Sequence, residues 1–314
     1  MRRTRRRILF AFLLAALAVG IGEGALRAGW GFGTPILYER QPAFEYRMQP
    51  NQSVRRFGRQ IETNSLGLRG REFPATKSEP RELRILIVGD SVTNGGSNVD
   101  QSETAAAVLE TRLAKRLNRP VLVINASANS WGPPNQLGFI ERFGIFDADI
   151  AIVVLSSHDL VDVPDPNSTG AGGPSSPPWC AWTEVASLVW PRLFPGTLPA
   201  KRDEGDEALA QQSLAALESL HQRLVTTVPH VAYALCWDRD EQAASAPRPA
   251  HDRLRAALTR HDCPVWELGP SLIERKRLDG SAVMADVIHP SRAGHAAMAE
   301  AIDAQLAASG WLED

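Results

Sequence analysis

The hydrophobic pattern separates an apolar run near the amino terminus from a longer region of alternating strand-like and helix-like segments. From Arg84 onward, short runs rich in Val, Ile and Leu are followed by stretches with apolar residues at three- and four-residue intervals. This alternation predicts a three-layer α/β/α domain over residues 84–314, with helices covering both faces of a parallel five-stranded sheet. The predicted strands span 84–89, 121–125, 150–155, 230–236 and 264–268, and the predicted helices lie near 103–118, 135–144, 206–227, 251–260 and 291–308.

Two segments depart from this alternation. Residues 31–83 predict a linker and a small β element, because weakly alternating runs at 44–48 and 59–63 are separated by turn residues. Residues 162–202 carry eight prolines and three tryptophans. Long irregular loops in compact α/β domains are usually lids or binding loops, and the tryptophans argue against the alternative of a disordered insertion. We therefore predict a lid-like insertion over residues 162–202.

The apolar run from Ile8 to Gly22 follows five arginines that lie within the first seven residues. Arginines ahead of an apolar run keep the amino terminus in the cytoplasm and direct the following chain across the membrane. Either a signal peptide is cleaved after Ala18, or residues 1–30 form an uncleaved single-pass anchor in the inner membrane. The apolar segment before Ala18 is short, which favours the anchor. Both alternatives place residues 31–314 in the periplasm or outside the cell.

The composition is that of an ordinary globular protein, with 44% hydrophobic and 22% charged residues. It excludes disordered, collagen-like and multi-span membrane classes. The formal net charge is −2; without the five terminal arginines, 29 basic residues face 36 acidic ones, a net of −7. This balance gives the body of the chain no electrostatic basis for binding nucleic acid or an anionic membrane.

The three cysteines are too few for a disulfide scaffold, and their spacing is not that of a zinc site. In an exported protein, Cys236 at the end of a predicted strand and Cys180 in the predicted lid are candidates for a disulfide. Cys263 is expected to be a buried thiol.

A candidate nucleophile follows the first strand of the predicted sheet. The strand that ends at Val88 leads into Gly89, Asp90 and Ser91. Ligands of open parallel sheets bind beyond the carboxyl ends of the strands, and Ser91 lies there. Gly89 permits a sharp turn that would present the serine hydroxyl at the strand exit. The glycines do not match a phosphate-binding or dinucleotide-binding loop.

A candidate general base lies close to the carboxyl end of the chain. Asp286 precedes His289 by three residues, and Pro290 then leads into the last predicted helix. A carboxylate in this position can bond one ring nitrogen and leave the other free to accept a proton. An isolated Asp-x-x-His is more often a surface loop. Together with a serine at a strand end, however, it favours a Ser-His-Asp hydrolase.

These two motifs resemble those of the SGNH/GDSL hydrolase family. Gly-Asp-Ser follows a strand at Ser91, and Asp-x-x-His-Pro precedes the last helix at His289. The segments 125–132 and 155–159 occupy the places of the family's second and third motifs, although their sequences diverge. The segment 64–70 is similar to a lead-in of membrane-anchored bacterial members, many of which are linked to cell-surface polysaccharide. The resemblance covers residues 42–306 and implies a flavodoxin-like fold.

The resemblance also implies roles for the site residues. Ser91 would be the nucleophile, His289 the general base and Asp286 the residue that orients the histidine. The family holds the oxyanion with the nucleophile's own N–H, a glycine N–H and an asparagine side chain. Ser130 stands at the glycine position and His158 at the asparagine position. A serine keeps the N–H if the backbone conformation survives, and a histidine ring can donate in place of an amide.

The expected function is therefore hydrolysis of an acyl ester, most simply an O-acetyl group, on an extracytoplasmic glycan, with no metal ion or organic cofactor. Two alternatives stay open at this point. An O-acyltransferase would pass the acyl group from the same triad to a sugar hydroxyl. A non-catalytic glycan-binding member of an export assembly would use the cleft without chemistry.

Overall fold

The computed structural model of the protein describes residues 2–165, 172–194 and 203–312. Helix α1 (Arg2–Trp30) is followed by two antiparallel hairpins, one of strands β1 (Tyr38–Gln41) and β2 (Glu45–Met48) and one of strands β3 (Ser53–Arg56) and β4 (Arg59–Glu62). Among the described residues, α1 is the helix whose length and apolarity suffice to cross a membrane. A signal sequence meets the same test, so the choice between anchor and signal peptide stays a prediction.

The main sheet contains five parallel strands in the order β6-β5-β7-β8-β9. The sheet strands are β5 (Leu83–Gly89), β6 (Val121–Ser127), β7 (Ile150–Ser156), β8 (His230–Cys236) and β9 (Val265–Glu267). Every residue of β5, β6 and β7 is buried, which explains why these strands are continuous apolar runs in the sequence. The predicted parallel five-stranded sheet is confirmed.

Helices cover both faces of the sheet. Alternate residues of β5 point into different cores: Ile85 and Ile87 belong to one cluster, and Leu86 and Val88 to the other. The first cluster packs against α3 (Ala105–Leu117), α9 (Gly269–Asp279) and α10 (Arg292–Ser309); the second packs against α4 (Pro133–Phe143), α6 (Glu207–Val225) and α8 (Pro249–Leu258). The three-layer α/β/α architecture is thereby confirmed.

The remaining helices were not predicted from the pattern. They are α2 (Ser91–Asn94), α5 (Ala181–Leu193) and α7 (Arg239–Ala244), and α9 on the sheet face is a further omission. Helix α5 lies within the predicted lid. Its internal proline and the absence of an alternating apolar and polar face kept the hydrophobic pattern from indicating a helix there. Residues 166–171 and 195–202 of that segment lie outside the described residues, and the lid and the other domain boundaries stay predictions.

The amino-terminal hairpins pack on the end of the sheet that carries Ser91. Phe44 makes edge-to-face contacts with Trp131 and Phe139, and Trp131 Nε1 donates to the carbonyl of Tyr46 at 2.9 Å. The predicted runs at 44–48 and 59–63 are strands. Each pairs with a neighbouring strand that the alternation did not reveal, and the two runs do not pair with each other.

The suggested disulfide is not formed. Cys180, Cys236 and Cys263 are all free thiols. Cys236 is buried at the end of β8, where desolvation raises the pKa of its thiol, whereas Cys180 precedes α5. The suggestion was wrong because the insertion carries Cys180 to the start of α5, where the next residue, Ala181, bonds Glu23 of α1. Cys263 is only partly buried, so the expectation of a fully buried thiol was also wrong.

Candidate active site

Ser91 begins the short helix α2 directly after the turn that ends β5. A Cβ at Gly89 would lie 2.3 Å from the Thr93 hydroxyl oxygen, so this close turn requires glycine. Asp90 caps α2, with Oδ1 accepting the Val92 N–H at 2.9 Å. The helix ends at Gly95, whose φ of 78° lies in the left-handed region. The turn, the cap and the end of α2 together fix Ser91 at the carboxyl edge of the sheet.

The structure brings Ser91, His289 and Asp286 into one hydrogen-bonded chain. His289 Nε2 lies 2.9 Å from Ser91 Oγ, and His289 Nδ1 lies 2.7 Å from Asp286 Oδ2. Because a carboxylate only accepts, Nδ1 carries the proton and Nε2 is left to accept from the serine hydroxyl. These contacts join residues 198 positions apart in the chain. The arrangement is that of a serine nucleophile with an oriented general base.

The loop that carries His289 is held by its own backbone. Asp286 Oδ1 accepts the N–H groups of Ile288 and His289 at 3.0 and 2.8 Å. The Ala285 N–H bonds back to the His289 carbonyl, and Ser291 then caps α10. Partial burial raises the pKa of Asp286, but the hydrogen bonds from the His289 N–H and ring outweigh it and hold the pKa below its usual range. Asp286 therefore stays ionised while it orients the ring.

A cleft of about 800 Å³ opens in front of these residues. Its lining comes from the ends of the sheet strands, from the first hairpin through Glu45 and Tyr46, and from the insertion through Gly172. Volumes of this order accommodate a small ligand. The α/β/α domain, the amino-terminal β element and the insertion thus build the cleft together.

Ser130 lies in the cleft lining and has a φ of 51°. This left-handed conformation favours glycine, the residue that the resemblance places here. The backbone at Ser130 is therefore one that glycine adopts readily, and its role as an oxyanion donor stays a prediction. The neighbouring carbonyl of Asn129 accepts the Tyr46 hydroxyl, which fixes this loop against β2.

His158 also lines the cleft, but its ring is engaged with the carboxylate that caps α2. Nε2 lies 2.7 Å from Asp90 Oδ2, and Nδ1 is buried without a hydrogen-bond partner among the described residues. Burial opposes the charged form, but the nearby carboxylates Asp159 and Asp90 raise the pKa of His158 to about 10. Burial and repulsion from Asp90 also raise the pKa of Asp159. The predicted oxyanion role thus requires one ring nitrogen to leave its present environment.

In the described part of the chain, Asp90, His158 and Asp159 also form a group compact enough to hold a metal ion, with candidate ligand atoms within 4.8 Å of one another. The direct bond between Asp90 and His158 already uses one carboxylate oxygen and one ring nitrogen. Asp159 adds a second buried carboxylate, with Oδ1 4.0 Å from His158 Nε2.

Arg69 is a site residue to which the sequence assigned no role. Its buried guanidinium donates to the carbonyl of Asn94 at the end of α2 and to those of Gly96 and Val99 in the loop that follows. Burial lowers its pKa to about 10. The only sequence signal was its place in the lead-in segment 64–70. Arg69 thus holds the segment that follows Ser91 in place, because it donates hydrogen bonds to three of its backbone carbonyls.

Comparison with known proteins places these observations in a family. The model of the GDSL-like lipase/acylhydrolase family matches residues 87–297. No curated protein sequence matches the chain.

Several solved structures resemble the chain in fold. A two-domain esterase active on acetylated mannans is 15% identical with a TM-score of 0.47, covering 74% of this chain and 50% of its own. The enzyme LAE5 from the Lake Arreo metagenome is 18% identical with a TM-score of 0.47, covering 73% and 96%. The acetylxylan esterase Axe2 from Geobacillus stearothermophilus is 16% identical with a TM-score of 0.46, covering 71% and 94%.

The chain spans half the length of the two-domain esterase but nearly the full length of the other two structures. At these identities the likeness concerns the fold alone. The family match rests on the sequence itself and contains both the strand-exit serine and the Asp-x-x-His motif. The chain therefore belongs to the GDSL-like lipase/acylhydrolase family.

Proposed function

We propose that this protein is a serine esterase that removes acyl groups, in the first place O-acetyl groups, from an extracytoplasmic glycan. The observation that carries the proposal is the continuous chain from Ser91 Oγ through His289 to Asp286 at the wall of an open cleft. A serine hydroxyl is a weak nucleophile until a base accepts its proton.

The reaction follows from this geometry. Ser91 Oγ attacks the ester carbonyl carbon while its proton passes to His289 Nε2, and Asp286 stabilises the imidazolium that forms. Collapse of the tetrahedral intermediate breaks the ester bond, and the leaving sugar oxygen takes the proton from His289. Water then attacks the acyl-enzyme with His289 as base, releasing the carboxylic acid and restoring Ser91.

The oxyanion of the tetrahedral intermediate needs donors on the opposite side of the carbonyl. We assign the N–H groups of Ser91 and Ser130, with His158 as a third donor. The left-handed backbone of Ser130 supports its assignment. His158 fulfils this role only if its ring turns away from Asp90 or draws Asp90 with it.

The charge of the cleft supports a neutral glycan as substrate. Four carboxylates besides Asp286 line the cleft, and the described lining contains no Lys or Arg. They are Glu45, Asp162, Asp165 and Glu204. Two cations offset part of this charge, because Arg248 pairs with Glu204 at 2.9 Å and the pKa of His158 is raised to about 10, which leaves an acidic balance. Carboxylates accept hydrogen bonds from sugar hydroxyls but repel uronic acids and other anionic esters.

The test is acetate release from an acetylated neutral glycan, with an acetylated polyuronate of matched acetyl content as the comparison. We expect faster turnover of the neutral glycan and no turnover by Ser91→Ala. Equal rates on both polymers would contradict the substrate class but leave the esterase intact.

The same purified protein separates the two alternative functions. Partition of the acyl-enzyme to sugar hydroxyls in preference to water would indicate an acyltransferase. Failure of Ser91 to react with a fluorophosphonate would favour a glycan-binding role without chemistry.

We further propose that α1 stays attached and holds the domain on the periplasmic face of the inner membrane. The five arginines before its apolar run support this orientation. Mass measurement of the membrane-extracted protein tests retention. A soluble chain that begins near Val19 would contradict it, while export would stand.

A further inference from the structure

Helix α5 exposes an unusual amount of apolar surface for a soluble domain. Trp179, which precedes it, is 93% exposed, and Leu193 at its end is 66% exposed. Only two of its thirteen residues, Glu184 and Arg192, are charged. The exposed apolar residues are Trp179, Trp182, Leu188, Val189, Trp190, Leu193 and Phe194. Contiguous apolar surface of this kind marks an interaction site.

The amino-terminal end of α5 is bonded to the end of the apolar run of α1. The Glu23 carboxylate accepts the N–H groups of Ala181 and Trp182, the first two residues of α5, at 2.8 and 3.3 Å. Trp182 Nε1 donates to the Val19 carbonyl at 3.1 Å. A Cβ at Gly22 would lie 2.4 Å from the Trp182 ring, so the glycine permits this close approach. Helix α5 therefore starts beside residues 19–23, where the apolar run of α1 ends.

The acidic side chain of α5, Glu184, faces the protein. Glu184 forms a largely buried ion pair with Arg56 of β3, and its other oxygen accepts the Gly33 N–H at 2.5 Å. This contact fixes the rotation of the helix on the second hairpin. With Glu184 turned toward the hairpin, the apolar side chains remain on the outer surface, next to α1.

We propose that α5 and Trp179 form a second membrane contact, lying in the interfacial layer of the bilayer that α1 crosses. The proposal rests on the proposed transmembrane role of α1. Tryptophan favours the boundary between headgroups and acyl chains, and an apolar helix that lies along this boundary gains by burying its exposed side. The contact with residues 19–23 places the start of α5 at the depth where the apolar run of α1 ends.

This contact also fixes the cleft relative to the membrane. The insertion that carries α5 contributes Gly172 to the cleft wall. Between these points it is bonded to the first hairpin and its following turn, with the Tyr38 N–H donating to the Pro174 carbonyl and Gln49 Nε2 to the Ser175 carbonyl. A membrane-bound α5 would therefore hold the cleft close to the bilayer surface.

Depth-dependent quenching on the full chain tests the proposal. The background variant carries Cys180→Ser and Cys263→Ser, so that only the buried Cys236 remains. Leu193, Leu278 or Leu13 is then replaced by a single cysteine, which is labelled with an environment-sensitive fluorophore. Leu278 on α9 is 69% exposed, which matches Leu193 at 66%. The protein is reconstituted in phosphatidylcholine vesicles with and without nitroxide-labelled lipid. We expect blue-shifted, lipid-quenched emission at positions 13 and 193 and neither effect at position 278.

Emission at position 193 that matches position 278, while position 13 is quenched, would overturn the second contact and leave the anchor in place. A blue shift at position 193 that depends on protein concentration and not on nitroxide lipid would assign the surface to a second copy, which also overturns it. Loss of quenching at position 13 would refute the span and the contact together. Turnover of a water-soluble aryl acetate by the Leu193 variant reports on the proposed esterase independently.

Discussion

His289 and His158 line the same cleft and each bonds a carboxylate, but their rings lie in different environments. His289 sits on a loop before α10, beside a carboxylate that is itself half exposed, and its second nitrogen faces the Ser91 hydroxyl. His158 follows β7, between the fully buried carboxylates Asp90 and Asp159. The first ring is placed to exchange a proton with a substrate group. The second ring bonds the carboxylate that caps the helix of Ser91, and it can act as the proposed oxyanion donor only by leaving that carboxylate.

We infer that the two environments suit different roles in one cleft. A general base needs one nitrogen anchored and the other free for the reacting group. A positioning residue needs partners that do not change during the reaction. The bond between His158 and Asp90 lies directly behind Ser91, because Asp90 precedes the serine and caps its helix.

The largest effect is expected from removing the reacting groups. Ser91→Ala and His289→Ala should each lower ester turnover by several orders of magnitude, because the first removes the nucleophile and the second removes the base that activates it. Asp286→Ala should lose less, since it only orients the ring. Hydrolysis of an aryl acetate measures the effect, and an unchanged melting temperature is the control. Near-normal activity of Ser91→Ala would refute the mechanism.

The next largest effect concerns His158. His158→Ala should lower kcat by about 10²–10³-fold with little change in KM if the ring supplies an oxyanion donor. His158→Asn should then recover much of the loss, because an amide N–H reaches a similar point.

A double-mutant cycle with Asp90→Asn sharpens the comparison. If His158 acts only through Asp90, the double variant should lose no more activity than the more damaging single variant. Additive losses would show that the ring also acts on the substrate. Equal, small kinetic effects of Ala and Asn at position 158 would contradict the donor role.

The pH dependence of stability distinguishes the two histidines further. The pKa of His158 is raised to about 10 in the folded protein, above the value of about 6.5 in an unfolded chain. Its stabilising contribution is thus fully present below about pH 6.5 and is lost as the pH rises through 10. We expect the melting temperature of wild type to fall from pH 7 to 10 more steeply than that of His158→Asn. Parallel curves would show that the ring is uncharged in the fold.

The smallest effect is expected at Ser130. Glycine relieves the strain of a left-handed backbone, so Ser130→Gly should raise the free energy of unfolding by up to about 1 kcal/mol and change kcat little. Ser245→Gly is a matched control, because Ser245 has a φ of 52° at the end of α7. Chemical denaturation and aryl acetate turnover measure both variants. A large loss of kcat in Ser130→Gly alone would assign the hydroxyl a role that the backbone does not explain.

Much of the fold followed from the sequence because its signals are local. Strands β5, β6 and β7 are buried on both faces, and a continuous apolar run records that directly. Helix α5 and the partner strands β1 and β3 escaped prediction, since short elements with weak periodicity gain their stability from tertiary contacts.

The sequence by itself determined the sheet, the strand-exit serine and the carboxylate three residues before His289, because short-range spacing specifies each of them. Only the tertiary structure decided which nitrogen of His158 meets which carboxylate. Asp90 lies 68 residues away, and an imidazole offers two nitrogens whose partners depend on what packs around the ring. Only the tertiary structure likewise showed that Arg69 bonds the carbonyls that follow Ser91 and that α5 contacts α1. Their partners are backbone atoms or distant side chains, whose positions no local pattern encodes.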